Sequence, residues 1–189
     1  MQTDVVIAGA GPVGLSLALE LANHGVRSVV IERKFKNAPT TVRCNHVSSR
    51  SMEFFRKNGF ADAVRSAGLP SDYAQDCSYR TSTSGKELSR IKIAASGDRF
   101  TSKDTGVDAQ WPTAEPPQRV NQLYLEPIMI EQALVRAEIT VLFEHELTEF
   151  VQDAGKVTAS VRAKDGTEFQ IEAVFLAGCD GGNSMVRQA

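Results

Sequence analysis

The chain has 189 residues, enough for one domain with a buried core or for one and a fraction. It is 42% hydrophobic and 23% charged with a formal net charge of -2, which excludes a basic field for nucleic acid. No apolar run is long enough to span a bilayer and no secretory leader is expected, while Cys44, Cys77 and Cys179 lie far apart in no C-x-x-C pair, which fits a reducing cytoplasm better than a disulfide framework or a metal site.

The first element is a β-branched strand, Val5-Val6-Ile7-Ala8, that feeds the turn Gly9-Ala10-Gly11-Pro12-Val13-Gly14. The G-x-G-x-x-G spacing has a mechanism: a sharp exit from the strand, close backbone approach to a pyrophosphate, and tight helix packing. A helix follows, with Leu15, Leu17, Ala18, Leu19, Leu21 and Ala22 apolar and Gly25 as its left-handed cap. Apolar residues on both of its faces predict that it is covered on two sides. The second strand, residues 28–31, ends in Glu32, an acid at the distance where a carboxylate accepts the hydroxyls of an adenosine ribose. Arg33 is placed to stack on an adenine or meet a phosphate, and Lys34 reads as a solvated loop residue.

Residues 35–47 read as a polar loop beyond the carboxyl end of a strand, where open α/β sheets take ligands. Arg43 lies in it, able to reach a flavin or pyrophosphate bidentately or to remain a surface arginine. Residues 48–66 read as helix, turn, helix, with Ser48 or Ser49 as the cap and Asn58-Gly59 as the stop. A hairpin is predicted around residues 82–86, with Leu88, Ile91 and Ile93 on its second strand, followed by a long loop over 94–119. Residues 120–137 read as a strand end and a helix with Pro127 in its first turn. The junction 134–140 carries no clear turn signal. Strands are predicted at 140–143, 147–152, 156–163 and 169–177, with turns at Ala154-Gly155 and Asp165-Gly166. Val174-Phe175-Leu176-Ala177 reads as a buried parallel strand. It runs into Gly178-Cys179-Asp180-Gly181, with Ser184 able to cap a new helix that has barely begun at Ala189, so a C-terminally truncated chain is expected.

Taken together, these segments resemble the single-component flavin-dependent aromatic hydroxylases typified by para-hydroxybenzoate hydroxylase. The match rests on the glycine turn, Glu32-Arg33, the stretch Arg43 to Glu53, Gln122 with Glu126, and Gly178-Cys179-Asp180-Gly181 with Ser184 and Arg187. The resemblance implies an α/β fold: a Rossmann-like FAD/NAD(P)-binding domain over 1–72 and 120–189, incomplete, with a β-rich insertion over 73–119 that starts a substrate domain. It implies FAD in the glycine-turn site, held by Gly9, Ala10, Gly11, Pro12, Val13, Gly14, Glu32 and Arg33. Arg43 and Gln122 would contact the flavin side or pyrophosphate, and Leu147 would lie by the adenine. Asp180 would serve both FAD and a passing NADPH or NADH, with Arg187 as a partner of the nicotinamide cofactor. The family's later Gly-Asp motif for the ribityl chain does not occur in the sequence.

The activity so implied is NAD(P)H-dependent hydroxylation of a phenolic or other aromatic small molecule by dioxygen, through a flavin hydroperoxide. The alternatives are a plain NAD-dependent dehydrogenase and an inactive FAD-binding fragment. In such chemistry the cofactor does the oxidation and the protein binds, orients and excludes water, so no nucleophilic triad is expected and no catalytic residue is assigned.

Overall fold

A computed structural model describes residues 1–39, 45–98, 101 and 113–189. The elements begin with β1 (Val5–Ala8), α1 (Pro12–Asn23), β2 (Ser28–Glu32), β3 (His46–Val47), α2 (Ser49–Lys57), α3 (Ala61–Ala67), β4 (Cys77–Arg80) and β5 (Glu87–Ile91). They continue with β6 (Gln118–Arg119), α4 (Gln122–Leu134), β7 (Ile139–Phe143), β8 (His145–Gln152), β9 (Val157–Ala163), β10 (Glu168–Ala173), β11 (Phe175–Gly178) and α5 (Met185–Gln188). Two compact units result, one of Met1–Thr40 with Glu126–Ala189 and one of Thr41–Leu125.

The first unit is built on a four-stranded parallel sheet in the order β11-β1-β2-β7. Its inner strands, VVIA and SVVIE, are apolar through almost their whole length because both faces are covered. α1 packs on β1, β2 and β7, burying Gly14, Leu15, Ala18, Leu19 and Ala22. The opposite face meets a three-stranded antiparallel sheet, β10-β9-β8. There Val6, Val29 and Ile31 pack with Ala159, Val161, Ile171 and Ala173. The two-residue strand period sorts Val6, Val29 and Ile31 onto this second face.

Four expectations for this unit need correction. α1 is covered along one stripe, not on two sides: Val13 is 71% exposed and Leu17 and Leu21 are half-buried. A helix lying on a sheet turns one side of its cylinder to it, and leucines flanking the stripe are only partly shielded. Residues 169–177 are two strands, split at Val174, where the chain crosses from the antiparallel to the parallel sheet. Both Val174 N–H and Phe175 N–H donate to the Asp4 carbonyl, at 3.1 and 3.2 Å. β11 is parallel, as predicted, but it is an edge strand and Phe175 is 65% exposed. An apolar run records hydrophobicity and carries no information on edge or centre. Lastly, the α4–β7 junction does turn, within residues 135–138, with Arg136 N–H on Ala133 O and Ile139 N–H on Arg136 O.

In the second unit, Ser48 caps α2 by accepting the Ser51 N–H, and Gly59 at φ +83° follows the Asn58 cap. Met52, Phe55, Phe60 and Val64 form the apolar seam of α2 and α3, with the Phe55 and Phe60 ring centroids 4.9 Å apart. His46-Val47, read as loop, is a short strand paired antiparallel with Gln118-Arg119, a partner too distant in sequence for local patterning to reveal. β4 and β5 form the predicted hairpin. Ile93 lies beyond β5, because its N–H donates to the Asp76 carboxylate and draws the chain out of the ladder.

α4 starts at Gln122, so Pro127 is inside the helix and not in its first turn. Asn121 sets that start: its side chain accepts the Leu123 N–H at 3.0 Å, and its carbonyl accepts from Tyr124 and Leu125. The missing Pro127 N–H leaves the Leu123 carbonyl without its helical donor. Of the long loop over 94–119, the described parts include a 3-10 turn at Ser96–Asp98 and β6.

Candidate functional site

The site is assembled at the carboxyl ends of β1, β2 and β11, where an open parallel sheet leaves a crevice. β1 leaves the sheet through Gly9, whose φ of +102° is a left-handed conformation that favours glycine. A Cβ on Gly9 would stand 2.5 Å from the Cys179 carbonyl oxygen, so the turn after β1 and the turn after β11 are in direct backbone contact. Cys179 N–H donates to Ala8 O at 2.8 Å and completes that seam. Gly14 is closed in from the other side, since a Cβ there would collide with the Gly9 carbonyl.

Gly11 differs from these two: among the described residues, nothing crowds within 4 Å of where its Cβ would be. It is the N-cap residue of α1, with extended backbone, no side-chain cap and Pro12 at the first helical position. No acidic side chain occupies the first turn. Among the described residues, the first-turn N–H groups and the positive end of the helix dipole have no capping side chain, the arrangement that binds a diphosphate. Ala10 is buried in the turn and Val13 is exposed on the helix behind it.

Glu32, half-buried at the end of β2, points its carboxylate at this turn. Oε2 accepts the Ala10 N–H at 2.9 Å and Oε1 accepts the Lys34 N–H at 3.0 Å. Arg33 follows it with an exposed side chain. From β11, Asp180 turns one carboxylate oxygen into the structure: Oδ2 accepts the Met185 N–H at 2.8 Å. Burial pushes the Asp180 carboxyl up, but hydrogen bonds from the Ser184 hydroxyl and from backbone N–H groups, including those of Met185 and Val186, outweigh it and leave it below the usual carboxylate range. Oδ1 is buried with no partner among the described residues, an acceptor that a ligand hydroxyl would satisfy. Ser184 caps α5 by accepting the Arg187 N–H at 3.0 Å, and the Arg187 guanidinium donates to the Gly182 carbonyl. The Cys179 thiol is held protonated, pushed up by burial and by the neighbouring Asp180 charge.

The structure thus gathers the residues from Gly9 to Gly14, Glu32, Arg33 and Asp180. Leu147 sits on β8 with its side chain packed against the cluster between the two sheets. Gln122 opens α4 in the other compact unit, and Arg43 lies outside the described residues. Sequence patterning missed the Cys179 carbonyl and the Lys34 N–H, and it gave no packing role to Gly178, where a Cβ would stand 2.9 Å from the Val186 side chain that seats α5 on β11. Backbone groups leave no side-chain signal, but a glycine directly after an apolar strand is a visible cue to Gly178. The donor set fits a dinucleotide such as FAD: uncapped N–H groups for the diphosphate and two carboxylates for hydroxyls.

Comparison with known proteins points to the same cofactor. A family model described as "FAD binding domain" matches residues 2–189. Phenol 2-monooxygenase of Pseudomonas sp. (strain EST1001) is 30% identical over 186 residues, covering 98% of this chain and 30% of its own length. The rebeccamycin biosynthetic enzyme RebC with reduced flavin is 32% identical with a TM-score of 0.83, over 100% of this chain and 34% of that one. The flavin-dependent monooxygenase PieE in complex with FAD and substrate is 26% identical with a TM-score of 0.83, over 100% of this chain and 32% of that one. The chain therefore spans about a third of the length of these proteins.

Proposed function

The chain belongs to the FAD-binding-domain family, and from that premise we propose that it is the cofactor-holding part of an NAD(P)H-dependent flavoprotein monooxygenase that hydroxylates a phenolic or other aromatic small molecule with dioxygen. The observation that carries this reading is the joining of three strand ends into one cradle, by the Gly9–Cys179 contact and the Ala10–Glu32 hydrogen bond. The name of phenol 2-monooxygenase supports the substrate class, and that of PieE supports a flavin-dependent monooxygenase reaction.

In this reading the α1 N-terminus and Gly11 take the diphosphate, Glu32 the adenosine ribose, and Arg33 the adenine or a phosphate. Asp180 offers Oδ1 to a hydroxyl of the bound FAD or of the nicotinamide cofactor. Leu147 by the adenine, Arg43 and Gln122 on the flavin side, and Arg187 toward NADPH or NADH complete the proposed set. When bound, FAD supplies hydride acceptance and the activation of dioxygen. Residues 1–72 and 120–189 are proposed as the FAD-binding domain and 73–119 as an insertion belonging to a substrate domain. Among the described residues, no helix is long and apolar enough to cross a membrane. A cytoplasmic location is proposed with it, supported by the free thiols of Cys77 and Cys179.

The test is direct. Added FAD is expected to lose fluorescence on the purified chain. The longer protein is expected to oxidise NADPH or NADH faster when a phenol is present and to release a hydroxylated product. Tight uptake of NAD with no flavin binding would sink the reading in favour of a dehydrogenase.

A further inference from the structure

We infer that Glu32 is a positioning residue for the diphosphate turn, in addition to the ribose contact proposed above, and that it holds the turn in its binding shape before any ligand arrives. The inference rests on the reading that the turn takes a dinucleotide diphosphate. It starts from the way the β1–β2 pairing ends. Gly9 N–H donates to the Ile31 carbonyl at 2.8 Å, the last backbone rung between the two segments. One residue on, β2 offers no carbonyl to the Ala10 N–H, and the Glu32 carboxylate takes that place at 2.9 Å. The side chain thus extends the ladder by one rung, into the middle of the glycine turn.

Two further observations make this rung matter. Ala10 is only 6% exposed, so its N–H has no ready access to water if the carboxylate is removed. The turn would have to shift to satisfy it. Ala10 also stands between Gly9, fixed against Cys179 O, and Gly11, the open N-cap of α1. A shift at Ala10 must be taken up at Gly11, because Gly9 has no room, and Gly11 is where the diphosphate would approach. The second carboxylate oxygen is held by the Lys34 N–H at 3.0 Å, which fixes the direction in which Glu32 reaches the turn. A carboxylate has about four lone-pair sites, so these two backbone donors leave capacity for ribose hydroxyls.

The experiment separates the two roles by using a ligand that lacks the ribose hydroxyls. Binding of ADP and of 2′,3′-dideoxy-ADP is measured by calorimetry on the wild-type chain, Glu32→Gln and Glu32→Ala. The amide of Ala10 is followed by hydrogen exchange in each, without ligand. For Glu32→Ala, dideoxy-ADP affinity is expected to fall about tenfold and Ala10 exchange to accelerate, as for loss of a charge-assisted hydrogen bond. Glu32→Gln keeps an oxygen for the Ala10 N–H and gives up only the exposed Lys34 N–H, which water can serve. It is expected to restore dideoxy-ADP affinity to within about threefold of wild type while remaining weaker for ADP. If Glu32→Ala weakens ADP alone and leaves dideoxy-ADP binding and Ala10 exchange unchanged, the positioning role is overturned and the dinucleotide reading stands. If the folded wild-type chain binds neither nucleotide, both are overturned. Should Glu32→Ala fail to fold, unprotected Ala10 exchange in the folded wild type, or failure of Glu32→Gln to keep dideoxy-ADP affinity, would overturn it equally.

Discussion

The strand pair β1–β2 and the hairpin β4–β5 are of similar length and are held together by different forces. Every residue of β1 is buried, and β2 is buried up to Glu32. In the hairpin every residue but Glu87 is exposed. Burial carries the first pair, and at about 25 cal/mol per Å² a central strand of valines and isoleucines is strongly stabilised. A lattice of partly exposed charges, each pair contributing little, is added to the backbone ladder of the second. Arg90 donates to Glu87 at 2.6 and 2.9 Å and to Asp76 at 2.9 Å, while Arg80 donates to Glu87 at 2.9 Å. The lesson is that the cofactor cradle is mounted on strands held by buried apolar side chains. The hairpin is the part that salt and acid loosen first.

Four measurements would break or sharpen that contrast. The largest effect is expected from Ile7→Ala, since Ile7 is 0% exposed between α1 and its neighbours. It should cost about 2–5 kcal/mol in chemical denaturation, the range for a truncated core residue. Gly9→Ala should follow at about 2–4 kcal/mol, combining the penalty of a positive φ with overpacking against the Cys179 carbonyl 2.5 Å away. It should also abolish FAD uptake in a fluorescence titration. A stable, FAD-binding Gly9→Ala protein would mean the turn is not locked to β11.

Acid and salt should act first on the hairpin. The Arg90 guanidinium, opposed by partial burial and joined by Arg80, lowers the Glu87 carboxyl to about 2 from its ordinary 4.5. A depressed folded value means the ion pairs stabilise the hairpin fully above pH 4.5 and progressively less as pH falls toward about 2. Hydrogen exchange over this window should rise in β4–β5 before β1–β2, and added salt should reduce the difference, because these pairs are solvent-exposed. The smallest effect is expected from Leu88→Thr. Leu88 is 65% exposed, so stability should stay within about 0.5 kcal/mol by thermal unfolding.

Much of the first unit was legible because its signals are local. Gly9, Gly11 and Gly14 mark a turn whose need for glycine is steric, and Gly25 and Gly166 lie at left-handed positions that the sequence announces. Ser48 as a cap and the hairpin around residues 82–86 were legible for the same reason. Illegible features depended on partners far along the chain. His46-Val47 becomes a strand only because residues 118–119 reach it, and residues 169–177 divide only because Asp4 accepts at the crossing. Pro127 was misplaced because Asn121, one residue before the helix, competes well as a cap, so the helix starts five residues earlier.

Of the candidate site, composition and spacing alone marked the glycine turn, the acid at the end of β2 and the Asp-Gly turn after an apolar strand. These follow from residue chemistry: glycine where backbone must approach closely, carboxylates where hydroxyls are to be met. Tertiary structure alone decided that the turns after β1 and β11 touch through Gly9 and the Cys179 carbonyl. It also decided that Glu32 is already engaged with the Ala10 N–H, and that one oxygen of Asp180 is buried without a partner. Those facts depend on how far apart three strand ends stand in the folded sheet. A sequence states that distance nowhere, and packing sets it to within tenths of an ångström.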